Sequence, residues 1–260
     1  MAELPRDHEA PRAPVSTCAV AVDVALLTIR EGRLMLLLVR PQPDELADRW
    51  ALPGRRVRDD ETLDDTAHRA LAELAGLTAP EAHLEQLRTY GDQSRDPRGR
   101  VVSVAYLLLT PTTDDPAEGT AAAFFPVDEL DLGASAGPEH APRPGGNERS
   151  ETGDPVRRFA YDHDRIVPDA LERARSKLEY TALATAFVAE PFTLGELRGV
   201  YEAVWGVSLD PANFRRKVVS TRDFIVPVEG LAKPGPGGGR PAQRYRRGSA
   251  ERLHPAMLRP

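Results

Sequence analysis

The 260-residue sequence has one cysteine, Cys18. A single cysteine cannot form an internal disulfide, and it excludes a metal site built from a cluster of cysteines. The residues around Cys18 alternate between apolar and polar as in a strand, so we expect its side chain to be packed. Disulfide-rich and cysteine-ligated classes of protein are therefore excluded.

Long apolar segments are also lacking. The longest purely apolar run, Leu34–Val39, is far too short to span a bilayer. The charged, proline-bearing N-terminus has no apolar core of a signal peptide. With 41% hydrophobic residues, the chain is expected to bury at least one core and to work in the cytoplasm without a membrane partner.

Positive charge is scarce in the first part of the chain and concentrated in the last. Residues 1–158 contain 18 basic and 28 acidic side chains, whereas residues 159–260 contain 16 and 12. Residues 210–247 alone contain 9 basic and 3 acidic side chains. A local basic patch on a protein of net charge −6 predicts a polyanionic partner for that patch.

The first half of the chain reads as strands around one helix. Strands are predicted over 16–29, 33–41, 100–110 and 121–126, and a helix is predicted from its cap at Thr62 to Gly76. Residues 132–158 are rich in glycine, proline and charge, which predicts a disordered linker, and residues 1–15 are expected to be mobile.

The second half is mainly helical. One helix is predicted over 167–188, a second follows the capping-box pair Thr193 and Glu196, and a third begins after Asp210. A strand, a glycine-proline turn and a strand follow. This order is that of a winged helix-turn-helix domain, assigned to residues 159–250 with a tail at 251–260.

Residues 52–78, "LPGRRVRDDETLDDTAHRALAELAGLT", resemble the Nudix box. The resemblance implies an α+β chain whose N-terminal domain, over 16–131, is a Nudix α/β/α sandwich. It also implies a structural ion pair between Glu61 and Arg69. Arg55 stands where the family has glycine, and alanine and leucine replace two helix glutamates. The positions that match are Glu61, Arg69, Leu71, Glu73, Gly76 and Leu77.

Hydrolysis in the family requires Mg²⁺ bound by carboxylates on one helix face. Here the three positions are Ala70, Glu73 and Leu74. We therefore expect no catalytic or metal-ligating residue and no requirement for Mg²⁺, with a nucleotide-diphosphate pocket retained. A rearranged active enzyme is the alternative. The expected effector contacts are Arg40, Trp50, Arg55, Arg56, Glu73 and Arg100.

For the arginine pair and for the tryptophan, the sequence leaves two roles open. Arg55 and Arg56 offer guanidinium groups for phosphates, or are solvated surface charges. Trp50 offers a ring for stacking a base, or belongs to the core or a lid. Arg100 is placed to reach a phosphate or a ribose.

The C-terminal half contains "KLEY", "FTLGELRGVYE", "NFRRK" and "GRPAQRY" in that order. These motifs resemble the C-terminal domain of the Nudix-related transcriptional regulators of NAD metabolism. The resemblance implies a homodimer on a palindromic operator in double-stranded DNA, acting as a repressor that is released by ADP-ribose or a related NAD-cycle nucleotide. Such a protein would be associated with the nucleoid.

The second helix of the helix-turn-helix enters the major groove in such domains. Phe214, Val218 and Val219 are expected to form its buried face. Two alternative functions remain at this point: an active ADP-ribose-type Nudix hydrolase with an added nucleic-acid module, and a sugar-phosphate-responsive regulator of the same architecture. The expected DNA contacts are Asn213, Arg215, Arg216 and Lys217 on the helix and Arg240 and Arg244 on the wing.

Overall fold

The computed structural model describes residues 17–41, 46, 48–78, 82–111, 114–132, 158–232 and 241–260. The predicted mobile segment 1–15, all but the end residues of the predicted linker 132–158, and Arg240 lie outside the described residues. Within the described ranges, no helix is both long and apolar enough to cross a membrane.

The first half of the chain forms a mixed six-stranded sheet of order β4-β5-β1-β2-β6, with β3 paired to β1. β1 and β5 run parallel, and the other pairs are antiparallel. The strands are β1 (Ala19–Arg30), β2 (Arg33–Val39), β3 (Gly54–Arg56), β4 (His83–Tyr90), β5 (Val101–Leu109) and β6 (Ala122–Pro126). The central strands β1 and β5 are buried over most of their length, as expected of strands covered on both faces.

Helix α1 (Leu63–Ala75) covers one face of this sheet. The Thr62 side chain accepts a hydrogen bond from Asp65 N and the Asp65 carboxylate accepts one from Thr62 N, which satisfies two donors at the helix start. The helix ends at Gly76, whose φ of 66° is left-handed. The predicted helix and its two caps are confirmed.

Helix α2 (His163–Tyr180) covers the opposite face. Ile166, Ala170 and Ala174 pack in the same core as Ala105 and Leu107 of β5. The sheet therefore lies between two helices, which confirms the predicted α/β/α sandwich, and the second helix layer comes from the region assigned by sequence to the C-terminal domain.

The prediction of one helix over 167–188 is wrong at both ends. α2 begins at His163, so Pro168 lies in its second turn, and it ends at Tyr180. Thr181 is extended, and its hydroxyl donates to the Lys177 carbonyl while its oxygen accepts from Leu183 N. This local side-chain bonding ends the helix, and a 3₁₀ helix follows over Ala182–Phe187.

Glu85 of β4 joins the sheet to α2 through ion pairs with Lys177 and Arg173, at 2.9 and 3.2 Å. A hydrogen bond from His83, together with these cations, outweighs burial and lowers the pKa of Glu85 from 4.5 to about 2. Since the folded-state pKa is lowered, the stabilisation is present above pH 4.5 and is lost as the pH falls toward 2.

We therefore expect Glu85→Gln to destabilise the protein at neutral pH and to have a smaller effect at each step below pH 4.5. Urea unfolding of both proteins between neutral and acidic pH measures this difference. A difference that stays constant over the acidic range would contradict the prediction.

The C-terminal part is a three-stranded sheet of order β7-β9-β8 packed with two helices. Its elements are β7 (Phe192–Thr193), α3 (Leu194–Trp205), α4 (Pro211–Ser220), β8 (Ile225–Ala232) and β9 (Ala242–Arg247). Thr193 and Glu196 form the predicted capping box, and Asp210 accepts from Asn213 N at the start of α4. The predicted winged helix-turn-helix architecture is confirmed.

Three contacts tie the last segment of the chain to α2. Residues 251–260, predicted as a tail, fold back on α2, where Leu253 N donates to Tyr180 O and Met257 N to Glu179 O. Arg259 pairs with Glu172 at 2.9 Å. The tail therefore adds packing to the helix that links the two domains.

One packing prediction near the N-terminus is wrong. Cys18 is exposed, and so is Val20, two residues further along on the same side of the chain, so the start of β1 is left uncovered on that side.

Candidate functional site

A pocket of about 810 Å³ opens between α1, the end of β2, the loop before β5 and the start of α2. Its size is within the range of small-molecule sites. Seven arginines line it against three carboxylates, which are Asp23, Glu73 and Asp96. Such a lining favours an anionic ligand. The arginines are Arg40, Arg55, Arg56, Arg58, Arg69, Arg95 and Arg98.

Four of the six predicted effector contacts line this pocket: Arg40, Arg55, Arg56 and Glu73. Trp50 is not part of the lining. Its ring packs edge-on against Phe125, with centroids 4.5 Å apart, and the Arg40 guanidinium lies over it at 4.0 Å. The structure thus places Trp50 in the core-type role that the sequence left as an alternative.

Arg100 also lies outside the lining, and its Nη1 donates to the Gly91 carbonyl at 2.6 Å. The same stretch, "RDPRGR", contributes Arg95 and Arg98 to the pocket instead. The contact of Arg100 with the effector stays a prediction.

Glu61 and Arg69 form a bidentate pair between the loop and α1. Arg69 Nε lies 2.5 Å from Glu61 Oε1, and Nη2 lies 2.8 Å from Oε2. Nη2 also donates to the Arg56 carbonyl at 2.8 Å. The hydrogen bond from Arg69 lowers the pKa of Glu61 to about 2. The pair therefore fixes β3, which carries Arg55 and Arg56, and the loop that follows β3 against the helix.

The helix positions at which the Nudix resemblance implies Mg²⁺ ligands do not fit the ion. Ala70 is buried and, like Leu74, has no oxygen in its side chain. Mg²⁺ requires several oxygen ligands in near-octahedral geometry. In the described part of the chain, no group of three or more histidine, cysteine, aspartate or glutamate side chains is arranged to hold a metal.

Glu73, the remaining carboxylate of that set, is surrounded by arginines. Its Oε2 lies 2.8 Å from Arg55 Nε and 3.4 Å from Arg69 Nη1, and its Oε1 lies 3.3 Å from Arg58 Nη2. The hydrogen bond from Arg55 is the main reason that the pKa of Glu73 is lowered. Three arginine side chains thus surround the one carboxylate that is present at the three implied metal positions.

A buried polar cluster forms the wall of the pocket next to α2. Arg95 Nη2 lies 2.8 Å from Asp162 Oδ1 and 3.2 Å from Asp23 Oδ2, and Ser103 donates to Asp23 at 2.5 Å. His163 Nδ1 accepts from Leu52 N at 2.9 Å. The cluster connects β1, the segment just before β3 that contains Leu52, and the first residues of α2.

Burial raises the pKa of Asp23, but the neighbouring His163, Ser103 and Arg95 outweigh burial and lower it to about 2. Asp23 is therefore an anion that compensates the buried Arg95 guanidinium. Sequence reasoning missed this cluster, because its members come from four separate segments.

Tyr161 stands at the entrance to α2 with a left-handed backbone, φ 56°. Bulky side chains seldom adopt this conformation, and it is often found at functional sites. The Arg98 guanidinium lies 5.2 Å from the centre of the Tyr161 ring, and both residues line the pocket. The pocket therefore shares its wall with the first turn of the helix that leads to the C-terminal domain.

The second candidate site is the exposed face of α4. Phe214 and Val218 are buried, and Phe214 packs on Tyr201 of α3 with ring centroids 5.5 Å apart. Asn213, Arg215 and Arg216 are exposed and Lys217 is partly so. The predicted set thus lies on the outward side of the helix, as insertion into a groove requires.

Val219 was predicted in the buried face of α4, and this is wrong. Its side chain is 56% exposed. Residues 214 and 218 are one helical turn apart and share the α3 side, whereas residue 219 is rotated by a further 100° toward solvent.

The turn between α3 and α4 is held by side chains of α3. Leu209 N donates to Glu202 Oε1 at 2.8 Å, and Arg198 Nη1 donates to the Leu209 carbonyl at 3.3 Å.

On the exposed face of α4, Arg216 Nη2 donates to Asn213 Oδ1 at 3.1 Å. The Arg215 guanidinium is exposed and makes no hydrogen bond or ion pair within the described part of the chain.

On the wing, Arg244 pairs through its backbone with Thr193 and is partly buried, whereas Arg246 and Arg247 are exposed. The predicted contact Arg240 lies outside the described residues. Arg246 and Arg247 thus add exposed positive charge to β9.

Comparison with known proteins agrees with this two-part architecture. A model of the NUDIX domain matches residues 19–143, and a model of the NrtR DNA-binding winged helix domain matches residues 185–247. The "ADPR responsive transcriptional repressor NtrR" of Acinetobacter baylyi is 31% identical over 229 residues, which are 87% of this chain and 81% of that protein.

Solved structures show the same arrangement. Shewanella oneidensis NrtR superimposes with a TM-score of 0.68 at 29% identity, over 90% of this chain and 97% of that one. The same protein in complex with a 27mer DNA gives 0.66 at 30% identity, over 88% and 93%. The chain belongs to the NrtR family of regulators, in which a Nudix domain precedes a DNA-binding winged helix domain.

Proposed function

We propose that the protein is a transcriptional repressor that binds an operator through α4 and the wing, and that leaves it when ADP-ribose occupies the arginine-lined pocket. The Acinetobacter relative is named as ADP-ribose-responsive, and the Shewanella relative binds a DNA duplex. The observation that carries the proposal for this chain is the lining of its own pocket, with seven arginines against three carboxylates.

This lining suits a diphosphate. Two phosphates bring two negative charges, and guanidinium groups bind phosphate oxygens through paired N–H donors. Arg40, Arg55 and Arg56 are proposed as direct contacts because they line the pocket. An active Nudix enzyme needs the opposite arrangement, in which several carboxylates converge on Mg²⁺.

The protein is accordingly proposed to bind ADP-ribose without hydrolysing it and without Mg²⁺. Ala70 and Leu74 remove two of three helix carboxylates, and Glu73 is engaged by arginines. A sensor benefits from this loss, because its ligand persists for as long as it is bound.

On the DNA side, Asn213, Arg215, Arg216 and Lys217 are proposed to contact base edges and phosphates in the major groove. Arg244 and Arg240 are proposed for the wing. A homodimer on a palindromic site would place two such helices one turn of DNA apart. Acting on chromosomal DNA, the protein would work in the cytoplasm, associated with the nucleoid.

The function is tested on full-length protein with a duplex enriched from a random pool by repeated selection for binding. We expect ADP-ribose to weaken binding of this duplex by about tenfold or more, within the usual range of allosteric coupling. Sugar phosphates should have no effect. A saturated complex that ADP-ribose leaves unchanged in a gel shift would contradict the sensing role.

Incubation of ADP-ribose with the protein and Mg²⁺ tests the enzymatic alternative. We expect no AMP above the level of a protein-free control. Release of AMP with turnover would identify the protein as a hydrolase with an added DNA-binding module.

A further inference from the structure

We propose that the guanidinium of Arg55, held in place by Glu73 and assisted by Arg58, takes the position and the charge of the metal cation in this Nudix domain, so that the diphosphate is bound by an arginine clamp. This inference rests on the proposed function, since it concerns how the same pocket holds the same ligand. It assigns a role to Arg58, which the sequence did not single out, and it changes the role expected for Glu73.

The position of Arg55 favours this role. Arg55 replaces the glycine with which the Nudix box begins, and it lies in β3, which pairs with β1. From there its Nε reaches Glu73 Oε2 at 2.8 Å, across 18 residues of sequence. Glu73 is the helix carboxylate of the metal-binding set that this chain has kept, so the guanidinium lies beside the oxygen that would otherwise face an ion.

The net charge around Glu73 also favours this role. Arg55, Arg58 and Arg69 surround Glu73 and Glu61, which leaves one net positive charge in the group. Mg²⁺ with three carboxylates has a net charge of −1, so in that arrangement it is the divalent ion itself, and not the group as a whole, that attracts phosphate oxygens. Replacing two carboxylates by Ala70 and Leu74 and adding Arg55 thus preserves attraction for a diphosphate with no ion present.

Arg55 and Arg58 also have N–H donors that Glu73 does not use. Arg55 gives Nε to Glu73 and has a long 3.4 Å contact from Nη1 to its neighbouring Gly54 carbonyl. Arg58 gives Nη2 to Glu73 at 3.3 Å. Each guanidinium carries five N–H donors in a plane, so donors remain for phosphate oxygens on both. Both side chains line the pocket and are partly exposed to it.

In this arrangement Glu73 is a positioning residue. It accepts hydrogen bonds from the arginines and orients them, and its carboxylate is not directed at an ion. Arg69, which is bound to Glu61 in a bidentate pair, anchors Glu73 from the helix side at 3.4 Å.

The test is a calorimetric titration of ADP-ribose into the full-length protein, first with excess EDTA and then with excess Mg²⁺. We expect equal affinities in the two buffers. Arg55→Gly, which restores the usual glycine of the box, is expected to weaken binding in EDTA by about tenfold or more, as loss of a charged hydrogen bond does. Arg55→Lys should recover part of the affinity, because it keeps the charge and loses the planar fork.

Arg33→Gly is the matched control. Arg33 is also held by two carboxylates, Asp128 at 2.6 Å and Glu129 at 2.8 Å, and it does not line the pocket. Its replacement should leave the affinity for ADP-ribose unchanged. Circular dichroism of each variant establishes that the fold is retained.

A double-mutant cycle separates the role of Glu73 from a merely structural one. Glu73→Gln is expected to weaken ADP-ribose binding severalfold in the native background and to have no further effect in the Arg55→Gly background. If Glu73→Gln weakens ADP-ribose binding as much in the Arg55→Gly background as in the native one, then Glu73 does not act by positioning Arg55.

The outcomes also separate this inference from the proposed function. Wild-type protein that does not bind ADP-ribose in either buffer would overturn the proposed function. Wild-type protein that binds only with Mg²⁺, or an Arg55→Gly variant that binds as tightly as wild type in EDTA, would overturn the arginine clamp alone.

Discussion

Replacing Arg215 and Arg216 together by alanine is expected to abolish specific operator binding while leaving the fold intact. Both side chains are exposed on α4, and neither contributes to the packing of Phe214 and Val218 on α3. A good arginine contact to a guanine edge contributes about 1 to 3 kcal/mol of discrimination. The double variant should therefore lose about 2 to 6 kcal/mol, less any coupling between neighbours.

Fluorescence anisotropy on the selected duplex and on a scrambled one measures this loss. The affinity of the double variant for the selected duplex should fall to its affinity for the scrambled one, because only the base contacts distinguish the two duplexes. Arg222→Ala is the matched control, since Arg222 is 91% exposed and lies just after α4. If the double variant still prefers the selected duplex, then other residues recognise the base sequence. The exposed arginines of β9 are the next candidates.

Replacing Arg95 by alanine is expected to be the most destabilising single change in the pocket wall. Its side chain is 4% exposed and bridges Asp23 and Asp162, whose side chains are each 10% exposed. Removing one partner of a buried ion pair leaves an uncompensated charge and typically reduces the free energy of unfolding by about 3 to 5 kcal/mol. Urea unfolding at neutral pH measures the loss.

Arg58→Ala gives the comparison for this prediction. Arg58 lines the same pocket and pairs with Glu73 at 3.3 Å, but these two side chains are 57% and 38% exposed. An exposed pair of this kind contributes about 1 kcal/mol or less. If both variants lose equal stability, then the buried cluster of Asp23, Arg95 and Asp162 does not support the start of α2 as the geometry indicates.

The features that local sequence predicts well here are those with local causes. The caps of α1, α3 and α4 depend on side chains within three residues of the helix start, and each was placed correctly. The strongly apolar strands β1, β2 and β5 were found for the same reason. β4 was missed, since only Leu87 and Tyr90 of its eight residues are buried and the pattern is mainly polar.

The site was predictable only in part. The Nudix box located Arg55 and Glu73, because a motif fixes residues at known spacing. The contact between these two residues, and the contact of Arg58 with Glu73, depend on how residues 55–58 pack against α1. Arg95, Arg98 and Tyr161 enter the pocket through the packing of α2 on the sheet, which no local pattern encodes.

The placement of α2 has a consequence for how the molecule unfolds. Its apolar face shares one continuous core with the sheet and with Leu197, Val200 and Tyr201 of α3. Neither domain can then unfold without exposing apolar side chains that the other domain covers. Despite its two domains, the protein should show one calorimetric transition, with a measured enthalpy equal to the van't Hoff enthalpy. Heat stability and the integrity of the ligand pocket would thus be lost together.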